Sequence, residues 1–253
     1  MPTRLPPFIG NTLRGAFGIS LFRNHCKLDN PQCNNCKDGG SCPYAAVFKT
    51  KNQESIPNPY VISVPYPGKS NYQAGEFLIF SITLFGSAVC YEDDIIEAIA
   101  KMSIGKIENT IIELLELRRR EWHDDIEPKD TDSLRLDFIT PTEIYCNKKM
   151  VTELDFFTFR DSLFRRLAGI INHYGEREFI LPYRLMTERP QIETISSLDE
   201  RHFQTSQQPI NGFVGAVRYF GELTRYLPYI ELGKQLHLGK KTTRSCGQYD
   251  YTI

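Results

Sequence analysis

Four cysteines of this 253-residue chain fall within a short stretch whose spacing suits a metal ion. Cys26, Cys33, Cys36 and Cys42 follow the pattern C-x6-C-x2-C-x5-C, while Cys90, Cys146 and Cys246 stand apart. A C-x2-C pair can put two thiolates on one tetrahedral ion, and two more sulfurs close the site. Asp29, Asn30, Pro31, Asn34, Asn35, Gly39 and Gly40 lie between them. That composition is loop, with no regular structure to hold it, and a metal would supply the missing order. The spacing therefore predicts one structural zinc with all four positions filled by protein. The alternative is four reduced thiols in a loop, one pair of them redox-active. A thioredoxin-type pair fits poorly, because no strand precedes Cys33 and no helix follows directly. An odd cysteine total of seven, and a start (Met-Pro-Thr-Arg) without an apolar signal segment, argue against a disulfide framework.

Charge is distributed unevenly along the chain. The net charge is −1, yet residues 1–50 carry six Lys/Arg against two Asp/Glu, and residues 213–253 carry six against three. Residues 51–150 are acidic, with eleven against seventeen, and 151–212 carry seven against nine. If the fold brings the two basic ends together, they form a positive surface that the global charge hides. With 41% hydrophobic and 12% aromatic residues the chain has enough apolar material for one or two cores, which excludes a mainly disordered protein. No apolar run approaches the ~18–20 residues of a membrane span, so the expectation is a soluble, cytoplasmic protein without a membrane partner.

The elements that position these residues are read from periodicity. Residues 11–24 form an amphipathic helix with Asn11 as its N-cap and Leu13, Ala16, Phe17 and Leu21 as its apolar stripe. Gly15 and Gly18 weaken that helix, which points to close approach of a neighbour. Tyr60–Tyr66 and Glu76–Gly86 are strand-like and joined by a long loop; Glu92–Met102 is helical with Ile95, Ile96, Ile99 and Ala100 inward. Lys106–Leu117 suits helix or strand. The acidic, proline-bearing stretch 123–132 marks a domain boundary. Beyond it come a strand at Leu134–Tyr145, a helix at Glu153–Tyr174 with Arg160 inside its apolar stripe, and strands at His202–Gln208 and Phe213–Leu223. These last two flank Asn211-Gly212, a type I′ hairpin signal. A helix at Arg225–Leu236, the loop His237–Arg244 and a strand ending at Tyr251 complete the chain. The second half is β-α-β-β-α-β and the first is the same order without its opening strand. The expected fold is α+β: tandem ferredoxin-like domains, a fold shared with RNA-recognition modules. The first domain covers residues 1–125, with the cysteine insertion at 26–46. The second covers 133–253, with a Gly/Lys loop at 237–247.

The chain resembles the CRISPR-associated precursor-RNA-processing endoribonucleases of the RAMP superfamily. The resemblance runs nearly end to end, through Pro7-Phe8-Ile9-Gly10-Asn11-Thr12-Leu13-Arg14-Gly15-Ala16-Phe17-Gly18 and the cysteine segment ending Cys42-Pro43-Tyr44. It continues through Phe138-Ile139-Thr140-Pro141-Thr142, Leu163-Phe164-Arg165-Arg166-Leu167, His237-Leu238-Gly239-Lys240-Lys241-Thr242-Thr243 and Gly247-Gln248-Tyr249. Two departures stand out. Only ten residues precede the first helix, so the family's opening strand is truncated or reduced to a stub at Arg4–Phe8. The family's loop usually ends Thr-Thr-Phe-Gly-Leu-Gly, whereas here it ends Thr-Thr-Arg-Ser-Cys-Gly.

The resemblance implies metal-independent cleavage of CRISPR repeat RNA, in which a base activates the 2′-hydroxyl and leaves a 2′,3′-cyclic phosphate. That chemistry needs a group titrating near neutral pH and cations or N–H donors facing the phosphorane. Of the five histidines, His123, His173 and His202 fit structural roles. His237 precedes Gly239-Lys240-Lys241-Thr242-Thr243-Arg244 and is the first candidate for proton transfer, with Lys240 beside it; His25, after the first helix where related enzymes often keep a catalytic histidine, is the second. The RNA-binding residues implied are Arg14, Arg166, Gly239, Lys241, Thr242, Thr243 and Arg244. The partner is CRISPR repeat RNA or its processed crRNA. The alternative is a non-catalytic RAMP subunit that coats guide RNA among other CRISPR effector subunits.

Overall fold

The structure, a computed structural model, describes residues 3–26, 28, 33, 36–37, 39–49, 56–104, 116, 118, 130–176, 178, 180, 182–205 and 208–253. The run Lys106–Leu117 (apart from Glu116) and positions 123–129, including His123, lie outside them. The chain divides into two units, Met1–Arg120 with His173–Glu176, and Glu121–Asn172 with Arg177–Ile253. Each is taken by itself.

The first unit runs β1 (Thr3–Arg4), α1 (Gly10–His25), α2 (Pro43–Phe48), β2 (Tyr60–Ser63), β3 (Asn71–Tyr72), β4 (Ser81–Leu84), a 3-10 segment at Gly86–Tyr91 and α3 (Glu92–Ala100). In α1 the four-residue spacing of Leu13, Phe17 and Leu21 turns all three inward, and each is fully buried. The helix starts one residue before Asn11, and no side chain caps it. Phe17 meets Phe48 of α2 at 5.2 Å and Tyr60 of β2 at 5.7 Å between ring centroids. Gly18 is needed for this contact, since a Cβ there would lie 2.9 Å from the Phe48 ring; Gly15 faces open space. The opening strand is a two-residue stub, and it pairs with β3, while β2 pairs antiparallel with β4. Among the described residues of this unit the strands stand as two separate ladders.

The second unit draws the full β-α-β-β-α-β order. It comprises β5 (Ser133–Thr142), the short hairpin β6 (Tyr145–Cys146) and β7 (Lys149–Met150), α4 (Phe156–Tyr174), α5 (Tyr183–Thr187), β8 (Glu193–Phe203), β9 (Ile210–Phe220), α6 (Leu227–Leu236) and β10 (Tyr249–Thr252). Strand order is β10-β5-β9-β8, with every neighbouring pair antiparallel. Alternation along β5 buries Leu134, Leu136 and Phe138 against α4, whose Phe156, Phe159, Leu163 and Leu167 are buried in turn. The Tyr219 ring lies 5.3 Å from Phe156, and Tyr249 lies 6.3 Å from Phe159. Arg160 is fully buried inside this stripe and has partners: its guanidinium donates to the carbonyls of Leu185 and Glu188 and to Asp161.

Asn211-Gly212 is not the hairpin turn. Both residues sit inside β9, opposite His202 and Arg201, and the connection runs through residues 204–209. The glycine serves a different purpose, because a Cβ at Gly212 would meet the Thr142 backbone at 2.7 Å, where the register of β5 and β9 shifts. Bulges of this kind select glycine for close backbone approach.

Candidate nucleic-acid interface

In the second unit, α6 ends at Leu236 and the chain turns through a loop with five positive-φ residues: His237, Gly239, Lys241, Ser245 and Gly247. Side chains of neighbouring elements and of the loop itself hold it in place. Arg166 on α4 donates from Nε and Nη2 to the Leu236 carbonyl at 3.2 and 2.9 Å, and from Nη2 to Thr242 Oγ1 at 2.9 Å. It therefore fastens the helix end to the loop. Lys241 is also engaged. Its ammonium pairs with Glu143, whose side chain is 4% exposed, and donates to the Pro209 carbonyl at 3.0 Å. Thr242 is buried as Arg166's acceptor.

His237 is 2% exposed, and its Nδ1 lies 3.1 Å from the Cys246 carbonyl. A carbonyl only accepts, so Nδ1 carries the hydrogen. Burial holds the imidazole's proton affinity down at about 4, with the Arg166 charge pushing the same way and the Cys246 carbonyl opposing. A ring so buried stitches the two ends of the loop together, so the first candidate for proton transfer lies beneath the loop surface. Burial also pushes the neighbouring Cys246 thiol up to about 12, so that sulfur stays protonated.

In this loop Lys240 is exposed and Gly239, Thr243 and Arg244 are partly so, with one guanidinium nitrogen of Arg244 buried. Lys241 is left-handed and a 3-10 turn at Thr242–Arg244 follows it. Successive amides in such a turn form a concavity suited to an anion. Lys240 is the exposed cation of the loop, while Lys241, Thr242 and Arg166 are engaged in contacts within it.

In the first unit, α1 carries Arg14 and ends at His25. The Arg14 guanidinium lies 5.4 Å from the Phe48 ring centroid. His25 Nε2 stands 3.5 Å from Asp94 Oδ1 of α3, with the imidazole 19% exposed. The Nε2 atom is buried and makes no hydrogen bond among the described residues, so Asp94 stands beside the ring as a neighbouring carboxylate. Asp94 was not singled out from the sequence; it stands among the first-turn acids of α3, where helix polarity alone explains a carboxylate.

Cys26, Cys33, Cys36 and Cys42 are partly exposed free thiols. Among the described residues no three His, Cys, Asp or Glu side chains come together to hold a metal. Tyr44 connects three of them: burial first, then the charges of Cys33, Cys26 and Cys42, raise its hydroxyl's pKa, while Arg14 lowers it.

Two family models match the chain, one for the AF_1859 N-terminal domain over residues 1–129 and one for the CRISPR-associated endoribonuclease Cas6 over residues 136–249. An uncharacterized protein of Archaeoglobus fulgidus is 29% identical over 244 residues, covering 83% of this chain and 78% of its own. Among solved structures, Thermus thermophilus Cas6 is similar with a TM-score of 0.60 at 14% identity, over 99% of this chain and 95% of that one. A Cas6-related protein from Pyrococcus furiosus gives 0.54 at 12% identity, over 98% and 92%. A Cas6 product complex gives 0.64 at 14% identity, over the whole of both chains. The solved structures share the fold of this chain, and the Cas6 model places its second unit on the plan of that domain. Residues 1–129 belong to the AF_1859 N-terminal domain family, and residues 136–249 match the domain model of the CRISPR-associated endoribonuclease Cas6.

Proposed function

We propose that this protein cleaves CRISPR repeat RNA without a catalytic metal, using His25 to move the proton. His25 takes the proton of the 2′-hydroxyl, the 2′-oxygen attacks the adjacent phosphorus, and the P–O5′ bond breaks. The departing 5′-oxygen takes a proton from solvent water while the imidazolium returns its own to solvent. The products are a 2′,3′-cyclic phosphate and a free 5′-hydroxyl. Lys240, Arg244 and the amides of the 241–243 turn bind phosphates of the bound RNA. The observation that carries the assignment is the pairing of a partly exposed His25 with Asp94 at 3.5 Å, set against the burial of His237. Solved relatives include a Cas6 substrate mimic complex and a RAMP protein binding different RNA substrates, which supports repeat RNA as the partner. The test is cleavage of the cognate repeat by His25→Ala and His237→Asn. Loss of a positioned base typically costs about 10²–10⁴ in rate, and that loss is expected for His25→Ala with binding nearly unchanged. Cleavage that survives His25→Ala and vanishes in a folded His237→Asn would reverse the assignment. A wild-type protein that binds repeat RNA and leaves it intact would favour the non-catalytic RAMP subunit.

We also propose that Cys26, Cys33, Cys36 and Cys42 take up one structural zinc. The C-x6-C-x2-C-x5-C spacing supports this reading, and the ion would draw the sulfurs together as it binds. Elemental analysis is expected to find about one equivalent of zinc per chain, lost on substituting any two of the four cysteines; a zinc-free, fully folded protein would refute it.

A further inference from the structure

Beside the 237–247 loop stands an element to which the family resemblance gave no role, the β6–β7 hairpin. Its turn residues Asn147 and Lys148 have φ of +50° and +64°. Two consecutive left-handed residues make a type I′ turn, whose second position ordinarily goes to glycine. Here a lysine occupies it, so a cationic side chain is kept at the tip despite an unfavourable backbone. Cys146, Asn147, Lys148 and Lys149 are all exposed, and residues 144–151 contain no acidic side chain.

The hairpin is fixed to the loop at its base. The Lys240 amide donates to the Glu143 carbonyl at 3.0 Å, and the Val151 amide donates to the Ile144 carbonyl at 2.9 Å. Gly239 permits this approach, since a Cβ there would come within 2.5 Å of the Glu143 carbonyl oxygen. The Lys240 ammonium lies 4.2 Å from the Tyr145 ring centroid. Tyr145 is partly exposed and hydrogen-bonded through its hydroxyl to Glu143, a carboxylate that Lys241 already neutralises. One aromatic ring thus carries Lys240 against its face, on a hairpin whose exposed tip adds Lys148 and Lys149. An aromatic platform flanked by cations is how proteins hold single-stranded nucleic acid: a base stacks on the ring and the cations follow the backbone.

We propose that the 145–150 hairpin is a second RNA-contacting element, in which Tyr145 stacks an unpaired base and Lys148 and Lys149 bind the flanking phosphates. This deepens the assignment of repeat RNA as substrate, yet its test does not depend on cleavage. Binding of the full chain is measured by fluorescence anisotropy over a salt series. The probes are the cognate repeat carrying 2′-deoxy substitution at the scissile position, and a short oligouridylate with no repeat sequence. Tyr145→Leu is expected to weaken binding of both probes by about 5–150-fold, the range for loss of one stacked base. Tyr145→Phe keeps the ring and is expected to stay within about threefold of wild type on the same basis. Lys148→Ala with Lys149→Ala should make log K against log salt shallower by about 1.4, or about 0.7 per lost single-strand contact. Lys69→Ala, a lysine of the first unit paired with Glu76, is the control for general loss of charge.

Equal loss in Tyr145→Leu and Tyr145→Phe would overturn stacking, and an unchanged salt slope in the lysine pair would overturn the phosphate contacts. Should Tyr145→Leu fail to fold by circular dichroism, the lysine pair and Lys148→Glu, both on the exposed tip, decide the matter. Variants that bind as wild type while wild type cleaves the repeat would refute the hairpin and leave the endoribonuclease standing. Oligouridylate binding that depends on the hairpin, without recognition of the repeat, would do the reverse.

Discussion

The burial of His237 makes a prediction about pH that separates a loop-fixing imidazole from a catalytic one. Its proton affinity falls from the ordinary 6.5 to about 4 in the folded chain, so between those values the unfolded chain binds a proton that the native state refuses. Stability contributed by the neutral ring is therefore fully present above about pH 6.5 and is lost as pH falls toward 4. At about 1.36 kcal/mol per unit, the loss works out at roughly 2 kcal/mol by pH 5 and roughly 3 kcal/mol by pH 4. Other groups titrate in the same range, so the measurement is a difference. Urea unfolding followed by far-ultraviolet circular dichroism at pH 7.5, 5 and 4 compares wild type with His237→Asn, a neutral side chain that tolerates positive φ. The variant is expected to be less stable at pH 7.5, having lost the packed ring. Its stability should then fall less on acidification, by those same 2–3 kcal/mol. Parallel pH profiles for the two proteins would mean that His237 titrates normally in solution, and the argument for burial would collapse.

Two neighbouring perturbations test the rest of the loop's support. Arg166→Ala removes the guanidinium that holds Leu236 and Thr242. Hydrogen bonds to charged groups are worth about 1.5–3 kcal/mol, so its thermal midpoint should drop and amide exchange in residues 237–247 should rise. An unaltered exchange pattern would show that the loop stands without Arg166. Glu143→Ala leaves the Lys241 ammonium without its carboxylate in a largely enclosed position. Such losses destabilise by about 3–5 kcal/mol, and the low end is expected in denaturant titration, because the Pro209 carbonyl remains. A loss below about 1 kcal/mol, the scale of an exposed pair, would place that ion pair in open water.

Periodicity carried the elements that bury one clean face. Leu13, Phe17 and Leu21 in α1, and Phe156, Phe159 and Leu163 in α4, repeat at helix spacing and are buried where they were expected. Pairing was harder to read where side chains do not alternate. Strand β8 begins nine residues before the expected strand at 202, because Glu193–Glu200 is an exposed edge segment that buries almost nothing. Asn211-Gly212 misled for the opposite reason: a strong turn signal reflected backbone crowding against Thr142 inside a strand. The β6–β7 hairpin turns on Asn-Lys, without the glycine that marks such turns. Helix α2 followed a stretch read wholly as loop, although Pro43 at its first turn was a usable start signal.

At the site, composition located the loop but not its inside and outside. His237 and Lys241 were singled out because cations and an imidazole lie close together in residues 237–244. Both, with Arg166 from α4, make contacts within the loop, beside the buried Leu238 and Cys246. Asp94 and Tyr145 lie far in sequence from the residues they touch, His25 and Lys240, and no spacing rule reaches across that distance.

The most direct test of the account is incubation of wild-type protein and His25→Ala with the cognate repeat RNA in excess EDTA, followed by end-group analysis of the products. Wild type is expected to cut once per repeat in EDTA, leaving a 2′,3′-cyclic phosphate and a 5′-hydroxyl. His25→Ala should bind the same RNA with cleavage slowed by about 10²–10⁴. Cleavage that needs an added divalent ion and leaves a 5′-phosphate, or a His25→Ala protein that cuts at the wild-type rate, would contradict it.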